Sequence, residues 1–284
     1  MVPKTDVPCI DSNTRLFAVM GNPVSHSLSP VMHNAAFRQT GHNGVYVALH
    51  VTDLPGAVAG IRALGIRGCS VTIPHKVAVM DLLDHVDPVA RRIGAVNTIV
   101  NEAGRLCGFN SDCPGAMAAL LEKTPVALRR VAVIGAGGAA RALAHGIVEH
   151  GGQLTIVNRS EDKGRRLAGE MQCDFCPLVD FSGVGCDILI NATSVGMVPH
   201  PDQMPVAHAS LRPGMTVMDI VYNPLETRLL SAARDAGCTV VDGVAMFVHQ
   251  GAFQFERWTG NRAPVQLMKR AVLEVLANRA GERE

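Results

Sequence analysis

The sequence predicts an α/β fold in two domains, and three observations carry that prediction. Short β-rich runs alternate with helical stretches through most of the chain, as parallel strands flanked by helices require. A glycine-rich turn, GAGGAARA, follows directly on the strand-like run VAVI and opens a helical stretch (residues 131–142). The 284 residues exceed one typical domain, and length alone favours two domains or one large α/β unit, either able to bury a real core.

In the first part, strands are expected at residues 15–20, 45–51 and 69–73. Between the first two, Ser29 is expected to cap a helix whose first residue is Pro30, where the missing N–H is harmless, and Gly41 suits its C-terminal end. The same logic makes Asp87 the cap and Pro88 the first residue of a short helix ending at Gly94. A second series of strands is expected at residues 130–134, 154–157, 187–191, 215–221 and 239–241. Residues 244–259 and 264–280 then read as two consecutive amphipathic helices. With the alternation ended, they return to the first domain. The crossings fall near Asp112 and Gly243, giving one domain from residues 1–111 plus 244–284 and another from 112–243.

Composition limits the partners. Apolar residues make up 48% and charged residues 18%, with a net charge of +1, a balance that supports neither disorder nor a nucleic-acid footprint. The expected partner is a small molecule, or a second copy of the chain in a homodimer. The N-terminal run MVPKTDVPCIDSNTR lacks the basic-then-apolar layout of a signal peptide, and no membrane-length apolar run is present, so the cytoplasm is the expected location. Eight cysteines, at positions 9, 69, 107, 113, 173, 176, 186 and 238, are scattered in the manner of reduced thiols. Cys173 and Cys176 form the C-x-x-C pair, but no histidine pair at ligand spacing accompanies them, and no metal is expected.

The turn after residue 134 has the chemistry of a dinucleotide site. Gly135 permits the tight bend, Gly137 lets backbone approach a pyrophosphate, Ala140 fits the close helix–sheet packing position, and helix N-terminal amides face the phosphates. Where NAD sites carry an acid, near the end of the second strand, this chain has Asn158, Arg159 and Ser160, with Lys163 following. A guanidinium pairs with a 2′-phosphate that an acid would repel, so NADP is predicted over NAD. The competing reading of Arg159 and Lys163 is a solvated helix start.

Lys76 closes the run GCSVTIPHK just past a strand end, near the hydroxyls of Ser70 and Thr72, where a cation can be held over a small polar substrate. Such a lysine can serve there as a proton donor to that substrate. Ser27 and Ser29, in GNPVSHSLSP, can hydrogen-bond a carboxylate without burying a second charge. GAVNTIV and GFNSDCPG supply Asn97 and Asp112. His26 and His75 flank these residues and read as structural.

Taken in order, GNPVSHSLSP, VTIPHK, GAVNT, GFNSD, GAGGAARA, NRS, INATSVGM, DIVYNPLET and HQGAFQFERWTG resemble the shikimate dehydrogenase family from about residue 15 to residue 260. The resemblance implies an oxidoreductase acting on a CH–OH group: reversible NADPH-dependent reduction of 3-dehydroshikimate to shikimate, on the route to chorismate and the aromatic amino acids. It implies a substrate domain clasping a Rossmann NADP domain across a cleft. By motif, Lys76 and Asp112 are the catalytic pair. Ser27 and Ser29 bind the carboxylate with Thr72 and Tyr222, while Asn97, Asp112 and Gln250 hold ring hydroxyls. Gly135, Ala136, Gly137, Gly138 and Ala139 hold the cofactor with Asn158, Arg159, Ser160 and Lys163, and residues 191–197, Val221 and Gly243 line its nicotinamide end. Two departures stand out: Ser70 where many relatives have asparagine, and Ser111 where they have threonine. The first bears on selectivity between shikimate and quinate. The alternatives are a quinate/shikimate dehydrogenase with relaxed NAD/NADP use, against which the missing acid at Asn158 argues, and a non-catalytic dinucleotide-binding protein on the same fold.

Overall fold

A computed structural model describes residues 10–183 and 185–281. Cys9 and most of the N-terminal run lie outside the described residues. By internal contacts the chain forms two compact units. The first holds residues up to 91 with 96–110 and 251–272, and the second holds 92–95, 111–250 and the residues after 272.

The first stretch of chain forms β1 (Arg15–Gly21), α1 (Ser29–Thr40), β2 (Gly44–His50), α2 (Leu54–Ala63), β3 (Gly68–Val71), β4 (His85–Val86), α3 (Pro88–Ile93), β5 (Thr98–Glu102) and β6 (Arg105–Phe109). Its sheet runs β2-β1-β3-β5-β6-β4. β1 pairs parallel with β2 and β3, whereas β5 is antiparallel to both β3 and β6. This sheet is therefore mixed, not parallel as expected, and the β5–β6 hairpin was not foreseen. Its two-residue turn puts Ala103 (φ 54°) and Gly104 (φ 95°) in the left-handed region, the geometry that matches strand twist. An alanine at the first of those positions hides the usual Asn-Gly signal.

Local chemistry explains most boundaries. Asp87 Oδ2 accepts from Val89 N at 3.0 Å and opens α3 at Pro88. Gly41 ends α1 with φ 65°. Ser29, however, is the first helical residue rather than the cap, which is Leu28; Ser29 N instead donates to Ser27 Oγ at 3.3 Å. β3 stops at Val71, two residues before the expected end, as the chain turns through Ile73 and Pro74.

The last helical segments complete this core. Trp258, on α8 (Gly243–Thr259), donates its indole N–H to Ile99 O at 3.0 Å. A Cβ at Gly68 would lie 2.4 Å from that indole, so only glycine admits the tryptophan there. Around it pack Phe17, Tyr46 and His33, with Phe37 against Phe17.

The second unit contains α4 (Asp112–Leu121), β7 (Arg130–Ile134), α5 (Gly138–Glu149), β8 (Gln153–Asn158), α6 (Glu161–Met171), β9 (Asp174–Pro177), β10 (Ile188–Asn191), β11 (Thr216–Asp219), α7 (Arg228–Asp235) and β12 (Thr239–Val241). A last helix, α9, runs Val265–Gly281. The sheet, β12-β11-β10-β7-β8-β9, is parallel throughout. That is the doubly wound order, whose ligand crevice lies at the carboxyl ends of the two strands where the winding reverses, here β7 and β10. Apolar clusters cover both faces, one around Val131, Leu143, Ile156 and Ile190, the other around Ala132, Val157, Leu189 and Val217. β9, carrying Cys176, was not foreseen, and β11 ends at Asp219, short of the expected residue 221.

Candidate functional site

In the first unit the proposed substrate residues follow the carboxyl ends of β1 and β3. The two segments are laced together: Asn22 N donates to Ile73 O (2.9 Å) and Thr72 N to Met20 O (3.0 Å). A Cβ at Gly21 would stand 2.4 Å from Thr72 Cγ2, so the glycine lets the loops touch. Ser27 Oγ donates to Ser29 Oγ at 3.2 Å, placing both hydroxyls side by side, with Ser29 buried. Lys76 is half-buried in the turn after β3, and its carbonyl accepts from Val96 N at 2.8 Å. Asn97 is buried next to that anchor, its backbone tied to Val71 N (2.8 Å) and Phe109 O (3.1 Å).

Behind these residues runs a buried polar chain. Tyr46 OH donates to Ser70 Oγ at 2.6 Å, and Ser70 Oγ donates to Gln254 Oε1 at 2.7 Å. Gln254 Nε2 in turn donates to Asn97 O (3.2 Å) and Thr98 Oγ1 (3.1 Å), and Thr98 Oγ1 donates to Asn97 Oδ1 at 2.8 Å. Ser70 thus spends its hydroxyl proton on the core. Gln254, unremarked in the sequence, positions Asn97. His75 Nε2 lies 3.0 Å from Val51 O, in keeping with a structural role.

In the second unit Asp112 is the first residue of α4 and is buried. Its neighbour Ser111 donates to Gln250 Oε1 at 3.4 Å, and Gln250 Nε2 donates to Phe247 O at 2.9 Å. Tyr222 stacks on the Phe247 ring with centroids 4.4 Å apart. Gln250 and Tyr222 are therefore joined through Phe247, a residue that carries no polar signal in sequence.

The turn after β7 has the form a pyrophosphate needs. Gly135 adopts φ 121° with its N–H donating to Val157 O at 2.8 Å. Gly137 is extended and precedes α5, with open space where a Cβ would stand. Ala136, Gly138 and Ala139 are partly buried beside it. At the end of β8, Asn158 Nδ2 donates to Ser160 O at 2.7 Å. Arg159, Ser160 and Lys163 are exposed. Neither cation has a carboxylate partner among the described residues, whereas nearby Arg165 pairs with Glu161 at 3.0 Å.

Asp219, at the end of β11, organises the opposite side of the crevice. Its carboxylate accepts from Asn191 Nδ2 (3.0 Å), Val221 N (3.0 Å) and Thr227 Oγ1 (2.7 Å). Asn191 Oδ1 then accepts from Thr193 N at 3.1 Å, shaping the loop that begins at residue 191. Burial pushes the Asp219 carboxyl up to about 6, outweighing those three donors. Gly243 lies against Val221, and a Cβ there would be 2.4 Å from Val221 O. Because the three nearest atoms are backbone, Gly243→Ala is expected to cost about 1–3 kcal/mol of stability through overpacking, read as a lowered urea midpoint at unchanged slope.

The chain matches family models in three places. Residues 19–99 match the shikimate dehydrogenase substrate binding domain, 119–222 shikimate / quinate 5-dehydrogenase, and 243–273 the shikimate 5′-dehydrogenase C-terminal domain. It is 48% identical to a shikimate dehydrogenase (NADP(+)) of Geobacillus sp. (strain WCH70), over 92% of this chain and 99% of that one. Among solved structures, a shikimate dehydrogenase in complex with NADP+ superposes with a TM-score of 0.89 at 41% identity, covering 94% of this chain and 98% of the other. The Thermus thermophilus shikimate 5-dehydrogenase in complex with NADP(H) and shikimate gives a TM-score of 0.86 at 38% identity, covering 92% and 99%.

Proposed function

The chain belongs to the shikimate dehydrogenase family, and from that membership we infer that it catalyses the reversible NADP-dependent reduction of 3-dehydroshikimate to shikimate, a step toward chorismate. The observation that carries this reading is the near end-to-end alignment with an NADP-dependent relative. In this reading residues 1–111 and 244–284 bind substrate and residues 112–243 bind the cofactor.

The residues fit a 2′-phosphorylated dinucleotide, since Gly137 leaves open the space a side chain would fill and Arg159 and Lys163 are exposed cations. Gly135 to Ala139 would hold the pyrophosphate, Asn158, Arg159, Ser160 and Lys163 the adenosine ribose and its phosphate, and Val221 and Gly243 the nicotinamide end. When bound, NADPH supplies the hydride. The remaining work falls to side chains. Ser27 and Ser29, with Thr72 and Tyr222, bind the substrate carboxylate; Asn97, Asp112 and Gln250 hold the ring hydroxyls. Lys76 meets the negative charge that develops on the carbonyl oxygen, either by giving it a proton and taking one back in the reverse direction or by stabilising the charge as an ammonium.

Shikimate oxidation followed by the absorbance of the reduced nicotinamide tests the reading. Shikimate with NADP+ is expected to give the highest kcat/KM. Preferred turnover of quinate with NAD+, or no turnover at all, sinks it. Arg159→Ala is expected to raise KM for NADP+ about 10- to 100-fold, the worth of one charge-assisted hydrogen bond or two, while leaving KM for NAD+ nearly unchanged. Equal use of both cofactors by the unaltered enzyme would defeat that assignment.

No helix among the described residues is long and apolar enough to cross a membrane. The reading also places the enzyme in the cytoplasm, supported by cysteines 69, 107, 113, 173, 176, 186 and 238 standing as thiols. Light scattering of the purified chain separates a monomer from the homodimer the reading includes.

A further inference from the structure

One cluster of ligating side chains lies apart from the residues assigned above. Cys113, on the first turn of α4, meets His145 and Glu149 on α5, and one ligand atom from each lies within 4.8 Å of the others. The helices come this close because residue 146 is glycine: a Cβ there would sit 2.7 Å from Met117 Cγ and 3.2 Å from Cys113 Sγ. Ile93, Ala95 and Ala142 pack around the thiol and keep it dry.

The histidine is the informative member. His145 is 8% exposed, yet its Nδ1 is buried without a hydrogen-bond partner, an arrangement that costs free energy unless something fills it. That nitrogen lies 3.5 Å from Glu149 Oε2. Two ligands about 2.05 Å from a tetrahedral zinc ion stand roughly 3.3 Å apart, so the N···O edge is close to ligating geometry already. Glu149 is exposed, which opens a route from solvent. Its other partner, Arg92, is 3.9 Å away and half-exposed, a weak competitor for a carboxylate.

We propose that Cys113 Sγ, His145 Nδ1 and the Glu149 carboxylate bind a divalent transition-metal cation of the zinc class, with water in the fourth position. One thiolate, one imidazole and one carboxylate is a donor set that zinc and cobalt accept and that magnesium and calcium do not. Burial and the carboxylates of Glu149 and Asp112 push the Cys113 thiol up to about 12, so without metal the sulfur is protonated. Binding displaces that proton to solvent: the S–H bond breaks, a metal–sulfur bond forms, and one proton is released per cation. The cation ties α4 to α5 one residue beyond Asp112.

Cobalt(II) reports the site directly, through thiolate-to-metal charge transfer in the near ultraviolet. Titration of the full, reduced chain, kept reduced by a phosphine, is expected to saturate at about one equivalent, as one site per chain requires. Cys113→Ser and His145→Gln should abolish the band. Glu149→Gln, a surface change that leaves the fold intact, should weaken cobalt binding beyond the roughly 10- to 100-fold typical of outer-shell losses. Added zinc should raise Tm of the unaltered protein but not of Glu149→Gln. A wild-type chain showing no band at millimolar cobalt overturns the proposal. So does an undiminished band in Cys113→Ser, which would place the metal elsewhere, for instance at Cys173 and Cys176. If Cys113→Ser does not fold by circular dichroism, unchanged affinity in Glu149→Gln is equally decisive against it.

Discussion

Lys76→Ala is expected to lose about 10²- to 10⁴-fold in kcat, the range that one positioned acid–base group supplies, with a much smaller change in KM for shikimate. The argument begins with the product of hydride addition, an alkoxide whose charge must be met as it forms. Lys76 is half-buried and held by its own carbonyl, which accepts from Val96 N at 2.8 Å, so its ammonium starts from an anchored backbone. A group that acts only in the transition state lowers kcat and kcat/KM together. Lys76→Arg separates the two roles open to the lysine. Arginine keeps the charge but does not give up its proton in a protein; activity regained with arginine means charge stabilisation, and activity still lost means proton transfer. Near-normal turnover in Lys76→Ala would remove the lysine from the mechanism altogether.

What could be read in advance divides along the distance between interacting residues. The turn at Gly135 was legible because strand, glycines and helix are contiguous, and the Asp87–Pro88 helix start was legible for the same reason. Ser29 misled because serine before proline resembles a cap, whereas here Leu28 holds the cap position and Ser27 supplies the acceptor. The parallel alternation concealed the β5–β6 hairpin, whose turn uses alanine where asparagine is usual. Ser70 shows the deeper limit. Its departure from asparagine reads as a matter of selectivity between shikimate and quinate, yet it hydrogen-bonds Gln254 across 184 positions of sequence, and no local pattern announces that. Asp219 with Asn191, and Cys113 with His145, are likewise assembled by packing between elements. Spacing rules search within one element and pass over them.

Two buried groups contribute to the acid response of the fold with opposite sign. His33 is fully buried and stacked on Tyr46 with centroids 4.5 Å apart. Burial lowers it from 6.5 to about 3, offset slightly by Gln254. A histidine depressed in the folded state favours folding fully above pH 6.5, and that contribution is lost as pH falls toward about 3, because the unfolded chain takes up the proton first. The slope is about 1.4 kcal/mol per pH unit. Asp219 acts the other way. Its carboxyl is raised from 3.8 to about 6, so its contribution is complete below pH 3.8 and is lost as pH rises through about 6. Between about pH 4 and 6 the two slopes oppose each other and largely cancel. His33→Phe removes the first slope and should make the loss on acidification through that window shallower than in the unaltered protein by about 1.4 kcal/mol per unit. Asp219→Asn removes the second and should steepen the loss on acidification by about 1.4 kcal/mol per unit. Urea unfolding at half-unit pH intervals measures all three. A His33→Phe curve parallel to that of the unaltered protein would mean that His33 does not stay neutral in the fold, and the burial argument would fail with it.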